Sequence, residues 1–136
     1  MTMMFRSHSR AARGATQGGR RPAPPTVRAG GLSALPRWPC PLRSGISLRY
    51  EVIGSGEPVL LVMGTGADHT LWEPTVEELR DNYQVITFDS RGTGESTTPP
   101  NPESYSMAGL AEDAVALLDV LEIERAHVSG LSLGSA

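Results

Sequence analysis

The sequence contains no lysine, so all twelve of its basic residues are arginine. Residues 1–50 hold nine arginines and no acidic residue, whereas residues 51–136 hold three arginines and all fifteen acids. We interpret the missing lysines as nucleotide-composition bias. Aromatic side chains, on which nucleic-acid bases stack, are not interleaved with the arginines. The charge pattern therefore predicts no nucleic-acid partner.

Cysteine and long apolar runs are also scarce. The single cysteine, Cys40, lies between Pro39 and Pro41, so no internal disulfide can form and no oxidising compartment is required. We interpret it as an incidental thiol in a loop. No apolar run approaches the length of a membrane span, and Met1 to Phe5 is too short for a signal-peptide core. We expect a soluble, cytoplasmic protein with no membrane partner.

Residues 1–44 are rich in arginine, proline, glycine and alanine and lack periodic apolar residues. We expect this leader to be disordered, because proline breaks helices and central strands and little apolar surface is available for burial. A targeting peptide and a nucleic-acid-binding tail are the alternatives for this segment. A solvated leader, including one that arises from an over-long upstream start, fits the composition best.

Residues 45–136 predict a single partial α/β domain. Apolar residues alternate from Ile46 to Ile53, and continuous apolar runs follow at 58–63 and 84–88. The first pattern is typical of a half-buried strand and the runs are typical of strands covered on both faces. A further short strand is predicted at 125–129.

Two helices are predicted between these strands. The first covers 74–80, with Pro74 in its first turn. The second begins after Ser106 as N-cap, and its apolar residues recur at three- and four-residue steps up to Leu121. Alternating strands and helices predict a mostly parallel sheet with helices on both faces, with active groups at the carboxyl ends of its strands.

The last strand leads into Gly130-Leu131-Ser132-Leu133-Gly134. A Gly-x-Ser-x-Gly segment between a strand and a helix is the nucleophile-elbow arrangement, in which a strained turn holds the serine hydroxyl clear of the chain. Side chains at Gly130 and Gly134 would crowd that turn. We therefore predict Ser132 to be the nucleophile.

The turn Met63-Gly64-Thr65-Gly66-Ala67 follows the first buried strand. Acyl transfer needs N–H donors for the oxyanion of the tetrahedral intermediate. We assign the Thr65 and Leu133 N–H groups to this role. Glycines Gly64 and Gly66 that serve turn geometry alone are the alternative.

The loop Asp89–Ser96 follows the next strand and contains Arg91, Gly92 and Gly94. Asp89 resembles a catalytic acid by position. We instead predict that the loop is structural, braced by internal hydrogen bonds and an Asp89–Arg91 charge pair.

The order of these three motifs, each closing a buried strand, resembles the N-terminal half of α/β-hydrolase-fold enzymes, over residues 45–136. Within them it is most similar to esterases, lactonases and related carboxylic-ester hydrolases. The resemblance implies the roles given above for Ser132, Thr65, Leu133 and the Asp89 loop. It also implies that Trp72 packs near the site, for which core packing is an equal explanation. The family usually has His-Gly where this chain has Met63-Gly64.

In this fold the triad runs serine, acid, histidine, so both partners of Ser132 are expected beyond Ala136. His8, His69 and His127 do not fit the role of the base. We read the chain as a fragment that is inactive alone, from a hydrolase that uses neither metal nor cofactor. Its expected partner is a small ester or lactone, and its oligomeric state is open.

Two other functions compete with this interpretation. A dinucleotide-binding Rossmann domain would use Gly64-x-Gly66 and Asp89, but its fingerprint meets His69 where it needs a small residue, and the serine motif stays unexplained. A binding module or inert truncated product would keep the fold without turnover.

Overall fold

The structure is a computed structural model that describes residues 2–6, by their backbone, and residues 39–135. The strands of the described residues are β1 (Thr2–Arg6), β2 (Cys40–Pro41), β3 (Ser47–Leu48), β4 (Tyr50–Gly54), β5 (Glu57–Val62), β6 (Tyr83–Phe88) and β7 (Arg125–Gly130). Five of them form one sheet with the strand order β1-β7-β5-β6-β4. Strands β2 and β3 form a separate two-stranded ribbon.

The centre of the sheet is parallel. Strand β5 pairs in parallel with β6 on one side and with β7 on the other, whereas the outer strands β4 and β1 are antiparallel to their neighbours. The central strands β5 and β6 have consecutive buried residues, as expected for strands covered on both faces. The predicted α/β class with a mostly parallel sheet is confirmed.

Two helices cover opposite faces of the sheet. Helix α1 (Glu73–Leu79) has Pro74 in its first turn and buries Val76 against a cluster that includes Val59 and Val85. Helix α2 (Met107–Val120) packs on the other face. Its N-cap is Ser106, whose side chain accepts a hydrogen bond from the Gly109 N–H. The predicted first residue of each helix lies within one residue of the observed one.

Within the described ranges, no helix has the length and apolar character needed to cross a membrane.

The single strand predicted over Ile46–Ile53 is divided at Arg49. Strand β3 pairs with β2, and β4 pairs with β6. Between them, the Arg49 carbonyl accepts from the Asp89 N–H at 2.9 Å and the Arg49 N–H donates to Ser96 Oγ at 2.9 Å. The backbone at Arg49 therefore bonds to the Asp89 loop, which interrupts the strand.

Two parts of the segment predicted to be disordered are strands. Residues Thr2–Arg6 form β1, antiparallel to β7, and the ordered unit begins before Gly45, with β2. Cys40 is fully buried in the core beside Leu48, so its interpretation as an incidental loop thiol is wrong. That burial raises the pKa of the Cys40 thiol. The prediction for residues 7–38 lies outside the described residues.

Candidate functional site

The carboxyl ends of β5 and β7 bring Gly64 and Ser132 into contact. The Leu131 N–H donates to the Val62 carbonyl at 3.1 Å, which ties the turn after β7 to the end of β5. A Cβ placed on Gly64 would lie 2.8 Å from the Ser132 Cβ. Two segments that are 68 residues apart in the sequence thus share one site, as the predicted topology requires.

Ser132 has a φ of 58°, in the left-handed region that L-residues with side chains rarely adopt. It begins a short 3-10 helix, Ser132–Ser135, one residue after the end of β7. A Cβ on Gly130 would clash with the Gly134 carbonyl, and a Cβ on Gly134 would clash with the Val62 carbonyl. The backbone therefore has the strained strand-to-helix turn expected of a nucleophile elbow, and both glycines are required by close backbone contacts.

Thr65 and Leu133, the predicted oxyanion donors, both line one cavity of about 730 Å³, whose lining in the described part of the chain includes Gly130 and Gly134 but not Ser132 itself. The cavity lies on the α2 face of the sheet, and most of its lining is apolar. Gly66, next to Thr65, has a φ of 80° and gives the loop its turn. Trp72 packs on the opposite, α1 face, in the cluster with Val76, so core packing explains it.

Asp89 is buried and its carboxylate accepts three hydrogen bonds. Oδ1 bonds to the His69 main-chain N–H at 2.8 Å and to the His69 ring Nδ1 at 2.6 Å, and Oδ2 accepts from the Glu95 N–H at 3.1 Å. Gly94 lies so close that a Cβ there would clash with the Asp89 carboxylate. A carboxylate occupied in this way does not face the cavity as a free acid. It is equally unavailable to a ribose hydroxyl, and the Rossmann alternative is not favoured.

The predicted Asp89–Arg91 charge pair is wrong, because Arg91 pairs with Asp113 of α2. The pair is bidentate, with Nε to Oδ2 at 2.6 Å and Nη2 to Oδ1 at 2.7 Å. The Arg91 guanidinium also donates to the Ser104 and Gly109 carbonyls. The hydrogen bond to Asp113 raises the pKa of Arg91. The one feature of the sequence that could have indicated this pair is Asp113 itself, an acidic residue on the largely apolar face of α2.

Gly92 supports the same loop from its outer side. Its φ is 80°, and a Cβ there would lie 2.5 Å from the Tyr105 ring. The Tyr105 hydroxyl donates to the Pro99 carbonyl at 2.8 Å. The Tyr105 ring therefore packs against the loop, and this contact requires glycine at position 92.

The histidines of the described residues are bonded to carboxylates. His69 bonds to Asp89, and His127 Nε2 lies 3.1 Å from Glu57 Oε2. His127 pairs with Val59 in the sheet, whereas Gly130, two residues before Ser132, pairs with Val62. His127 and Gly130 are therefore three residues apart along β7, or about 10 Å, so His127 lies away from the end of the strand that leads to Ser132. His8 lies outside the described residues.

No group of three or more metal-ligating side chains occurs in the described part of the chain. A charged cluster does surround His69. Its Nε2 lies 3.9 Å from Glu51 Oε1, and Arg49 bridges Glu51 at 2.5 Å and Glu95 at 3.1 Å. Burial lowers the pKa of Arg49, but its hydrogen bond with Glu51 and the charges of Glu51, Asp89 and Glu95 outweigh that effect, so the net pKa is raised.

Comparison with known proteins identifies the family. A family model described as alpha/beta hydrolase fold matches residues 57–136. The chain is 36% identical over 94 residues to 3-oxoadipate enol-lactonase 1 of Acinetobacter baylyi, an alignment that covers 68% of this chain and 34% of that protein. It therefore spans about a third of the length of this curated relative.

Solved structures give the same result. The enol-lactonase from Burkholderia xenovorans LB400 superposes with a TM-score of 0.64 at 33% identity, over 68% of this chain and 36% of that one. The epoxide hydrolase VrEH1 from Vigna radiata superposes with a TM-score of 0.66 at 26% identity, over 70% and 31%. The residues that the family model matches include the three parallel strands β5, β6 and β7 and the turn at Ser132. This chain belongs to the α/β-hydrolase fold family.

Proposed function

We propose that the protein is a serine hydrolase that cleaves carboxylic esters or lactones through an acyl-enzyme at Ser132. The observation that carries this proposal is the backbone of Ser132, held at a φ of 58° against Gly64 at the carboxyl ends of β5 and β7. Strain of this kind is maintained only where the surrounding structure enforces it, and it is concentrated at functional sites.

In this mechanism Ser132 Oγ attacks the substrate carbonyl and loses its proton to a general base. The carbonyl oxygen becomes an oxyanion, which accepts hydrogen bonds from the Thr65 and Leu133 N–H groups. Collapse of this intermediate expels the alkoxide, which takes up the proton, and leaves an ester on Ser132. Water then attacks that ester with help from the same base, the acyl group leaves as a carboxylic acid, and Ser132 Oγ takes the proton back.

The general base and its acid partner are proposed to come from parts of the whole protein that these residues do not cover. In the described ranges, neither His69 nor His127 forms a hydrogen bond with Ser132, and their rings face other carboxylates instead. The chain also spans about a third of its curated relative. In the order typical of this fold, the acid and the histidine follow the serine in sequence.

Serine at the elbow favours an acyl substrate. The relatives' names include both lactone and epoxide hydrolysis, so the fold alone leaves the substrate class open. A serine nucleophile forms a hydrolysable ester with an acyl group, and an oxyanion hole requires a carbonyl oxygen to act on. We therefore propose esters and lactones as the substrates.

The test is labelling of the full-length protein by a serine-directed fluorophosphonate, together with hydrolysis of a short-chain nitrophenyl ester. Ser132→Ala should abolish both. Ser55→Ala, in an exposed turn, is the matched control and should leave both unchanged. Undiminished turnover in Ser132→Ala would remove the assignment.

A further inference from the structure

The segment Gly64–Asp68 must be held still if the Thr65 N–H is to point at an oxyanion. Its first residue is fixed, because Gly64 lies against Ser132 and Leu131. Its far end joins His69, the first residue of a short 3-10 helix, His69–Trp72. The orientation of Thr65 therefore depends on how firmly His69 is held.

His69 is held twice by one carboxylate. Asp89 Oδ1 accepts from the His69 main-chain N–H at 2.8 Å and lies 2.6 Å from ring Nδ1. Because a carboxylate oxygen only accepts, Nδ1 carries the hydrogen of this second bond. The main-chain N–H and the ring of His69 are thus bonded to the same oxygen atom. Together the two bonds restrain both the main-chain position and the side-chain torsions of His69.

Asp89 is itself restrained on every side. It is 1% exposed, its N–H donates to the Arg49 carbonyl, and its own carbonyl accepts from Ser96 Oγ at 2.6 Å. The Glu95 N–H donates to its second carboxylate oxygen at 3.1 Å. The loop before His69 is therefore anchored to a residue that is itself hydrogen-bonded through its N–H, its carbonyl and both carboxylate oxygens.

We propose that His69 is a positioning residue, which fixes the Thr65 N–H for the reaction by joining the loop Gly64–Asp68 to Asp89. The proposal rests on the proposed function, since it assigns His69 an effect on the oxyanion site. It does not make His69 the general base: with Nδ1 bonded to Asp89, Nε2 is the nitrogen that would have to accept the serine proton, and Nε2 faces Glu51.

The test compares three variants of the full-length protein. His69→Leu keeps side-chain volume and removes the donor, whereas His69→Asn retains an amide N–H at about the position of Nδ1. His127→Leu is the matched control, because it removes the other histidine–carboxylate pair of the described residues, which lies away from the Ser132 end of the sheet. Activity on a nitrophenyl ester is measured beside hydrogen exchange of the amides from Gly64 to His69.

We expect His69→Leu to lower kcat by about tenfold to a hundredfold, because a small displacement of an oxyanion donor costs that much. KM should stay within about threefold, since the interaction is made in the transition state. His69→Asn should recover most of the loss, and His127→Leu should match the unaltered protein. Amides 64–69 should exchange faster only in His69→Leu.

An unchanged kcat in His69→Leu, or equal losses in the leucine and asparagine variants, would overturn the proposal. If His69→Leu does not fold, His69→Gln replaces it, because its longer amide cannot donate to Asp89 from the same point. Ser132→Ala separates the two proposals. Retained turnover in that variant would refute the serine mechanism, whereas the exchange of the loop amides would still report whether His69 fixes the loop.

Discussion

Gly64 lies against Ser132 so closely that a Cβ on Gly64 would be 2.8 Å from the serine Cβ and 3.2 Å from Oγ. The Leu131 carbonyl would lie 2.9 Å from the same Cβ. The strand that carries the proposed oxyanion loop and the strand that carries the serine therefore meet at a point with no room for a methyl group. This contact fixes the distance between the two proposed halves of the site.

Gly64→Ala should consequently disturb the serine itself. We expect a loss of about 1–3 kcal/mol in the free energy of unfolding, as for overpacking, and a marked loss of fluorophosphonate labelling. Gly45→Ala, in an exposed turn outside the proposed site, is the control, because its φ of 83° imposes backbone strain of about 1–2 kcal/mol while no atom beyond its chain neighbours lies within 4 Å of the added Cβ. Equal labelling in the two variants at equal stability would contradict this prediction.

The backbone conformation at position 132 should cost the protein stability, because it suits glycine better than serine. Its φ of 58° penalises any side chain, so we expect Ser132→Gly to exceed Ser132→Ala in the free energy of unfolding by about 1 kcal/mol. Glu122, exposed after α2 with a φ of 57°, offers the matched comparison of Glu122→Gly with Glu122→Ala. Urea denaturation measures both differences. A Ser132→Gly variant no more stable than Ser132→Ala would show that the turn carries no strain.

The Arg91–Asp113 pair should be a major contribution to stability. Asp113→Asn leaves the guanidinium, 10% exposed, without its charge partner, and we expect a loss of about 3 kcal/mol. Glu77→Gln removes the partner of Arg80 in an exposed ion pair and should change stability by less than about 0.5 kcal/mol. Urea unfolding of both variants gives the comparison. A loss in Asp113→Asn no larger than that in Glu77→Gln would contradict the assignment.

Cys40 should be unreactive while the protein is folded. It is 0% exposed and burial raises the pKa of its thiol, so both access and thiolate formation are suppressed. A thiol reagent at pH 8 should react slowly with the native chain and stoichiometrically in urea, and the reading is unambiguous because the sequence has one cysteine. Complete reaction of the native protein within the mixing time would contradict the burial of this residue.

The raised pKa also fixes the sign of a pH dependence. The folded state favours the neutral thiol, so this stabilisation is complete below the ordinary pKa of cysteine and is lost as pH rises through the folded pKa. We expect Cys40→Ala to reduce the alkaline loss of stability between pH 8 and pH 10. An identical alkaline slope in the variant would show that Cys40 contributes nothing to it.

Local sequence determined the helices and the turn at Ser132. Ser106 caps α2 through the N–H of Gly109, three residues away, and the apolar spacing of that helix needs no distant partner. Gly130 is required by the Gly134 carbonyl, four residues away, so the strained turn could be predicted from the pentapeptide, although Gly134 is required by the Val62 carbonyl of β5. Hydrogen bonds and periodicities of this range are encoded in contiguous sequence.

Only the tertiary structure decided which charged and polar groups meet. Arg91 had an acidic neighbour two residues away, yet it bonds to Asp113 because the loop after β6 lies against α2. Because Arg91 pairs with Asp113, Asp89 bonds to His69 instead. The backbone bond between Arg49 and Asp89 also divides the segment Ile46–Ile53, whose alternating apolar residues had predicted one continuous strand. Likewise Cys40 became core because β2 pairs with β3. The reason is physical: a buried charge takes the partner that best completes its hydrogen bonds, and that partner is set by how the elements pack.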